Sequence, residues 1–91
     1  MELRPFDRDD WHAYSGCESE NPLIAYSETY TLIVDGDHVG TDRMTDSGSY
    51  MSTWRFPDAG TAMLFALSIR GIEPSDIMDL KAGVYGGRPV G

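Results

Sequence analysis

The stretch DGDHVGTDRMTD, residues 35–46, decides the fold because it contains the turn that joins two predicted strands. Asp35-Gly36 between residues of high β propensity is a strong hairpin signal, since a type I′ turn needs positive φ at both central positions. The preceding residues 23–34 are rich in β-branched and aromatic side chains, which predicts one long strand. The pattern therefore predicts a hairpin between strands at about 23–34 and 38–44.

The same stretch also shares part of the pattern of a calcium-binding loop. The residues that fit stand at the first, third, sixth and twelfth positions of that motif: Asp35, Asp37, Gly40 and Asp46. The fifth position is Val39, which has no side-chain oxygen, and the ninth is Arg43, which would place a positive charge near the cation. Because strands rather than helices are predicted on both sides, we expect a hairpin and no metal site.

The rest of the chain supplies a third strand and the helices. Thr45-Asp46-Ser47-Gly48 reads as a turn that leads into a strand at about 49–56. Asp58 is a predicted N-cap for the main helix at about 59–70, and short helices are predicted at about 8–14 and 75–80. The predicted fold is thus α+β, a three-stranded antiparallel sheet packed by one main helix.

The predicted domain covers residues 1–80, and residues 81–91 are predicted to be a flexible tail. The last ten residues contain four glycines and one proline, a composition typical of a mobile terminus. A chain of 91 residues is long enough for one hydrophobic core.

The predicted order α-β-β-β-α resembles that of the double-stranded-RNA-binding domain over roughly residues 7–70. That family has a basic cluster at the start of its last helix, which the resemblance would place at residues 58–63. This segment contains neither lysine nor arginine. Without those phosphate contacts, we do not expect RNA binding.

Charge and composition indicate the kind of partner. The chain has 15 acidic and 7 basic residues, for a net charge of −8, which repels nucleic acid and anionic membranes and suits a basic protein partner. Cys17 is the single cysteine, so no internal disulfide forms, which fits the cytoplasm. The N-terminus lacks a signal-peptide pattern, and the longest apolar run, residues 62–67, is too short to span a bilayer.

The leading hypothesis is a small, acidic, non-enzymatic protein-interaction module, in one version an inhibitor of the type encoded by phages. Four aspartates are expected to form an acidic rim at one end of the sheet, and other acidic or aromatic residues to extend it. The predicted partner-binding residues are Asp35, Asp37, Asp42, Asp46, Glu18, Glu20 and Trp11. We predict no catalytic residue, no metal and no cofactor.

Two alternatives rest on other features of the sequence. Glu28 lies on the apolar face of the predicted first strand and, with tyrosines and Trp54, would form a ligand pocket. Separately, Cys17 would act as a nucleophile with His12 as its base. The main helix is apolar almost all the way round, which requires a second cover. The N-terminal segment with Trp11 and Tyr14 is one candidate cover, and the C-terminal residues are a second. A binding partner or a second copy of the chain is the remaining candidate, which makes a homo-oligomeric assembly subunit an alternative function.

Overall fold

The protein is a six-stranded antiparallel sheet with two helices, in a computed structural model that describes residues 3–6, 22–69 and 75–90. The strands lie in the sheet in chain order: β1 (Arg4–Pro5), β2 (Leu23–Ser27), β3 (Tyr30–Asp35), β4 (His38–Thr45), β5 (Gly48–Arg55) and β6 (Arg88–Pro89). The helices are α1 (Ala59–Ser68) and α2 (Ser75–Val84). The α+β class is confirmed, but the predicted three-stranded sheet understates the structure. The predicted helix at 8–14 lies outside the described residues.

The prediction of one strand over residues 23–34 is wrong, because a turn at Glu28 and Thr29 divides it into β2 and β3. Ser27 pairs with Tyr30 across this turn. The polar run Ser27-Glu28-Thr29 interrupts the apolar pattern and reverses the chain, so that Ala25 pairs with Leu32. Five strands therefore precede α1, which departs from the α-β-β-β-α order of the double-stranded-RNA-binding domain.

The predicted hairpin at Asp35-Gly36 is present, but its turn is shifted by one residue. Asp35 pairs with His38, so the central residues are Gly36 and Asp37. Gly36 has φ of 63°, and none of the described non-glycine residues has a positive φ. A positive φ at the first central position alone is the pattern of a type II′ turn rather than type I′.

The hydrophobic core lies between one face of the sheet and the two helices. Phe65 of α1 is fully buried at its centre, with ring centroids 5.3 Å from Trp54, 4.9 Å from Phe56 and 6.3 Å from Tyr85. Trp54 is also buried, and its Nε1 donates a hydrogen bond to Asp79 Oδ1 at 2.9 Å. Aromatic packing of this kind accounts for a large part of the stability of a small domain.

The C-terminal segment predicted to be a tail contains regular structure. Helix α2 continues to Val84, and the Gly87 N–H donates to the Ala82 carbonyl at 2.7 Å. Strand β6 then pairs with β5, and the Val90 N–H donates to the Thr53 carbonyl at 2.8 Å. Among the helices of the described residues, none is long and apolar enough to cross a membrane.

Asp58 is the N-cap of α1, as the sequence predicts. Its Oδ1 accepts hydrogen bonds from the Thr61 backbone N–H at 2.7 Å and the Thr61 hydroxyl at 2.8 Å. The bond from the Thr61 backbone N–H is the largest cause that lowers the pKa of the Asp58 carboxyl below 3.8.

The Asp58 cap predicts a specific pH dependence of stability. Because the pKa of Asp58 is lower in the folded than in the unfolded chain, its ionisation stabilises the fold above pH 3.8, and this contribution is lost as the pH falls through the folded pKa. Asp58→Asn keeps a capping oxygen but does not titrate. We expect the difference in urea midpoint between the wild type and Asp58→Asn to shrink from pH 6 to the acid limit of folding. An equal difference at every pH would contradict this role.

Candidate functional site

The face of the sheet that is turned away from the helices, here called the second face, carries a small polar pocket. Residues of three adjacent strands meet there: Thr31 pairs with Asp42 and Asp42 with Met51, while Gly40 pairs with both Ile33 and Thr53. Ile33 is buried, whereas Met51 is 73% exposed and forms the exposed margin of this surface.

The pocket exists because Gly40 contributes no side chain to the second face. Its volume is about 20 Å³, and its described lining is Thr31, Ile33, Gly40, Thr41, Asp42, Met51 and Thr53. We call it the Asp42 pocket. A Cβ placed on Gly40 would lie 3.8 Å from Thr53 Oγ1, an ordinary contact distance, so the backbone does not require glycine for lack of space. The pocket is large enough for one water-sized group.

Asp42 brings an unsatisfied oxygen to this pocket. Its Oδ1 is buried and has no hydrogen-bond partner in the part of the chain that the structure describes. Directly across the sheet from Asp42 stand Thr31 and Met51, and the nearest residues of β4 on the same face are Gly40 and Met44. None of these neighbours carries a positive charge. Burying a carboxylate oxygen without a hydrogen-bond donor costs free energy. A donor for Asp42 Oδ1 therefore has to come from a group other than these four neighbours.

The second feature of the site is the outer edge of β5, next to the pocket. The Thr53 carbonyl accepts from the Val90 N–H, so the backbone polar groups of Thr53 point away from β4. Those of Ser49 and Met51 point the same way, because the backbone direction alternates along a strand. Within the described residues, β6 covers only the end of β5, and no strand pairs with the outer side of residues 48–52. We call residues 48–52 the open edge.

The open edge lacks the devices that protect other sheet edges from strand addition. The edge strands β1 and β6 are two residues long, and each consists of an arginine and a proline. The open edge, GSYMS, has no charge and no proline, and its Tyr50 and Met51 are exposed. Charges, prolines and short length are the features that discourage pairing with another chain, so this edge is available for it.

Two larger cavities flank β6, the strand that ends the covered part of β5. One of about 440 Å³ is lined by residues 51–54, Asp79, Pro89 and Val90. The other, of about 590 Å³, lies at the far end and includes Arg55 and Arg88, which pair directly across the two strands. The surface along β5 is therefore grooved on both sides of β6.

The four predicted aspartates do not form an acidic rim at one end of the sheet. Asp35 and Asp37 lie at one end of β4. Asp35 is 7% exposed, and the Asp37 carboxylate contacts His38 Nδ1 at 2.7 Å and Arg55 Nε at 3.4 Å. Asp46 lies in the turn after Thr45, at the other end, about 24 Å away for a strand of this length. Asp42 lies between them. The predicted Trp11, Glu18 and Glu20 lie outside the described residues.

The structure places Glu28 apart from the aromatic residues Tyr30 and Trp54. Glu28 is exposed in the turn between β2 and β3, whereas Trp54 is buried on the helix side of the sheet. Tyr30 is buried there as well, and its hydroxyl contacts Met78 Sδ at 3.0 Å. Cys17 and His12 lie outside the described residues. In the described part of the chain, no group of three or more His, Cys, Asp or Glu side chains is placed to hold a metal ion.

The apolar surface of α1 is covered on one side only. The core packs against its buried residues Ala62, Phe65 and Ala66, with Met78 of α2 and Tyr85 supplying part of the predicted internal cover. Leu64 and Leu67 are 58% and 63% exposed, and Ile77, Leu80 and Val84 of α2 are exposed too. The cover by the C-terminal residues is therefore partial.

Neither the open edge nor the Asp42 pocket is predicted by the sequence. The open edge follows from the length of β6 and its position beside β5, which no local pattern encodes. The pocket had one sequence signal, Gly40 inside a predicted strand, because a glycine within a strand often marks a site where another group approaches closely.

Comparisons with known proteins give no match. No protein-family model, no curated protein and no solved structure matches the chain. The class that can be stated from the structure is a small α+β domain with a six-stranded antiparallel sheet and two helices on one face.

Proposed function

We propose that the protein is a non-enzymatic interaction module that binds an extended, basic segment of a partner protein at the open edge of β5. The observation that carries this proposal is the edge itself: residues 48–52 are uncharged, the outward backbone groups of Ser49 and Met51 have no strand partner in the described structure, and Tyr50 and Met51 are exposed. Strand addition uses such edges, with main-chain hydrogen bonds supplying affinity and side chains supplying specificity.

The net charge favours a basic partner over a second copy of the same chain. Each copy carries −8, so two copies repel at long range, whereas a cationic segment is attracted. The proposal keeps the expected contact between carboxylates and a basic surface, with Asp42 nearest to the edge, one strand away from Met51. A cytoplasmic location and an inhibitory role, as of a phage-encoded inhibitor, are part of the same proposal.

The open edge is tested with Met51→Pro. The Met51 N–H points away from β4, so proline removes a donor from the outer edge and leaves the β4–β5 hydrogen bonds in place. We expect a partner captured by the wild-type protein to bind the variant at least about tenfold more weakly. In the wild-type complex, amide exchange of Ser49 and Met51 should slow relative to the free protein.

The matched control is Met51→Thr, which keeps the N–H and has high β propensity. Both variants remove the methionine side chain, and only proline also removes the N–H, so Met51→Thr should bind the partner more tightly than Met51→Pro. Raised salt should weaken the complex because its attraction is partly electrostatic. Equal binding by Met51→Pro and Met51→Thr, or unchanged exchange of the Ser49 and Met51 amides in the complex, would refute binding at the edge.

A second proposal is self-association through α1, favoured by the exposure of Leu64 and Leu67. Sedimentation velocity distinguishes the two. A dimer that dissociates in Leu67→Glu supports an assembly subunit, and a dimer that dissociates in Met51→Pro places the second copy at the open edge. A monomer at micromolar concentration contradicts both forms of self-association and agrees with a different protein as partner.

A further inference from the structure

We propose that the Asp42 pocket receives the ammonium group of a lysine side chain from the partner. The inference deepens the proposed function, on which it rests for the origin of the lysine. It is carried by a separate observation: Asp42 Oδ1 is buried in a pocket of about 20 Å³ and has no hydrogen-bond partner among the described residues.

The size of the Asp42 pocket matches an ammonium group. The pocket accommodates one water-sized group, and an ammonium is a compact head with three donors on a flexible stem. An arginine guanidinium is planar and carries five donors in a rigid fork, so it does not fit a space of that volume. The pocket therefore distinguishes between the two basic side chains.

The pocket also carries acceptor groups that suit an ammonium. Asp42 Oδ1 supplies an acceptor of opposite charge, and a charge-assisted hydrogen bond is stronger than a neutral one. Thr31 and Thr53 line the same pocket and have hydroxyl oxygens that can accept further N–H groups. No lysine or arginine is directly opposite Asp42 or two residues away on β4 to compete for this carboxylate.

The apolar part of the pocket lining suits the aliphatic stem of a lysine side chain. Ile33 and Met51 line the pocket beside the polar groups, and Met51 is largely exposed. The four methylene groups of a lysine bury well along such apolar surface while the charged head reaches a polar group. Asp42 and Met51 are cross-strand partners, so the pocket lies one strand in from the open edge.

The probe for the test is Nα-acetyl-lysine N-methylamide, titrated into the ¹⁵N-labelled full chain and followed by NMR. We expect saturable shifts of the Gly40, Asp42 and Thr53 amides. The uncharged norleucine analogue and the arginine analogue should cause no saturable shift at these amides. Absence of shifts with the lysine probe, or equal shifts with the arginine analogue, would overturn the proposal.

Two variants test separately whether the charge of the pocket and its open volume are needed for binding of the lysine probe. Asp42→Asn removes the charge with nearly the same shape and should weaken the lysine probe about tenfold or more. Gly40→Ala keeps the charge and fills the pocket, and it should also abolish the shifts; its added Cβ meets ordinary contacts, so the fold is retained. Asp46→Asn, which removes the same charge from the exposed turn, is the control and should bind as the wild type does.

The outcomes distinguish failure of this inference from failure of the proposed function. If Met51→Pro loses the partner but the lysine probe gives the same shifts in wild type and Asp42→Asn, the edge binds and the pocket assignment is wrong. If the probe behaves as expected while Met51→Pro binds the partner normally, the pocket is a lysine site and the edge is not the docking surface.

Discussion

Phe65→Ala is expected to lower the free energy of unfolding by about 3–5 kcal/mol, the range for removing a large buried aromatic side chain. Phe65 is fully buried and its ring packs against Trp54, Phe56 and Tyr85, so it joins the sheet, α1 and the residue that follows α2. A domain of this size has a total stability of about 5–15 kcal/mol, so the variant should be close to unfolding. Urea denaturation followed by tryptophan fluorescence measures the change.

The matched control is the neighbouring residue in α1. Leu64 is 58% exposed, and Leu64→Ala should change the free energy of unfolding by no more than about 0.5 kcal/mol. A similar loss for Leu64→Ala and Phe65→Ala would mean that α1 presents a different face to the sheet from the one described.

Gly87→Ala is the second substitution with a large expected effect. A Cβ at Gly87 would lie 2.5 Å from Phe56 Cε2, closer than Cβ atoms approach other atoms in proteins, and 3.0 Å from the Ala82 carbonyl oxygen, which is tighter than most Cβ contacts. Phe56 is buried in the core, so relief requires movement of a packed ring or of the backbone. We expect a loss of about 1–3 kcal/mol, typical of overpacking, measured as a lower urea midpoint.

The control lies four residues earlier in the same segment. A Cβ at Gly83 meets no atom within 4 Å, and alanine has the higher helix propensity, so Gly83→Ala should raise stability by about 0.5 kcal/mol. The opposite signs test whether residues 81–90 pack on the domain. If residues 81–91 are a flexible tail, both substitutions will leave the urea midpoint unchanged.

Local signals predicted the elements whose cause is local. Asp58 and the apolar run after it indicate α1, and Asp58 is the observed cap. The Thr45–Gly48 turn is likewise found where the sequence indicates it, with Asp46 and Ser47 at its centre. Caps and tight turns depend on side chains a few residues apart, so a short stretch is sufficient to specify them.

The errors arose where a pattern fits two structures. Residues 23–34 alternate well enough for one strand, yet Ser27, Glu28 and Thr29 also suit a two-residue turn. The hairpin is preferred because it brings Ala25 beside Leu32 and extends the sheet over the core, a gain that involves contacts beyond the local sequence. Similarly, the glycines of residues 82–91 suggested mobility, while Gly87 is small because it lies against Phe56.

By itself, the sequence determined the α+β class, the strands on either side of Gly36, the capped helix α1 and the net charge of −8. Only the tertiary structure decided that Asp35 and Asp46 lie at opposite ends of β4. Within the described residues, it also decided that Asp42 has a buried oxygen without a donor and that the outer side of residues 48–52 has no strand partner. The physical reason is that turns and caps arise from neighbours in sequence. A pocket or an edge instead depends on which residues the strand register brings together from distant parts of the chain.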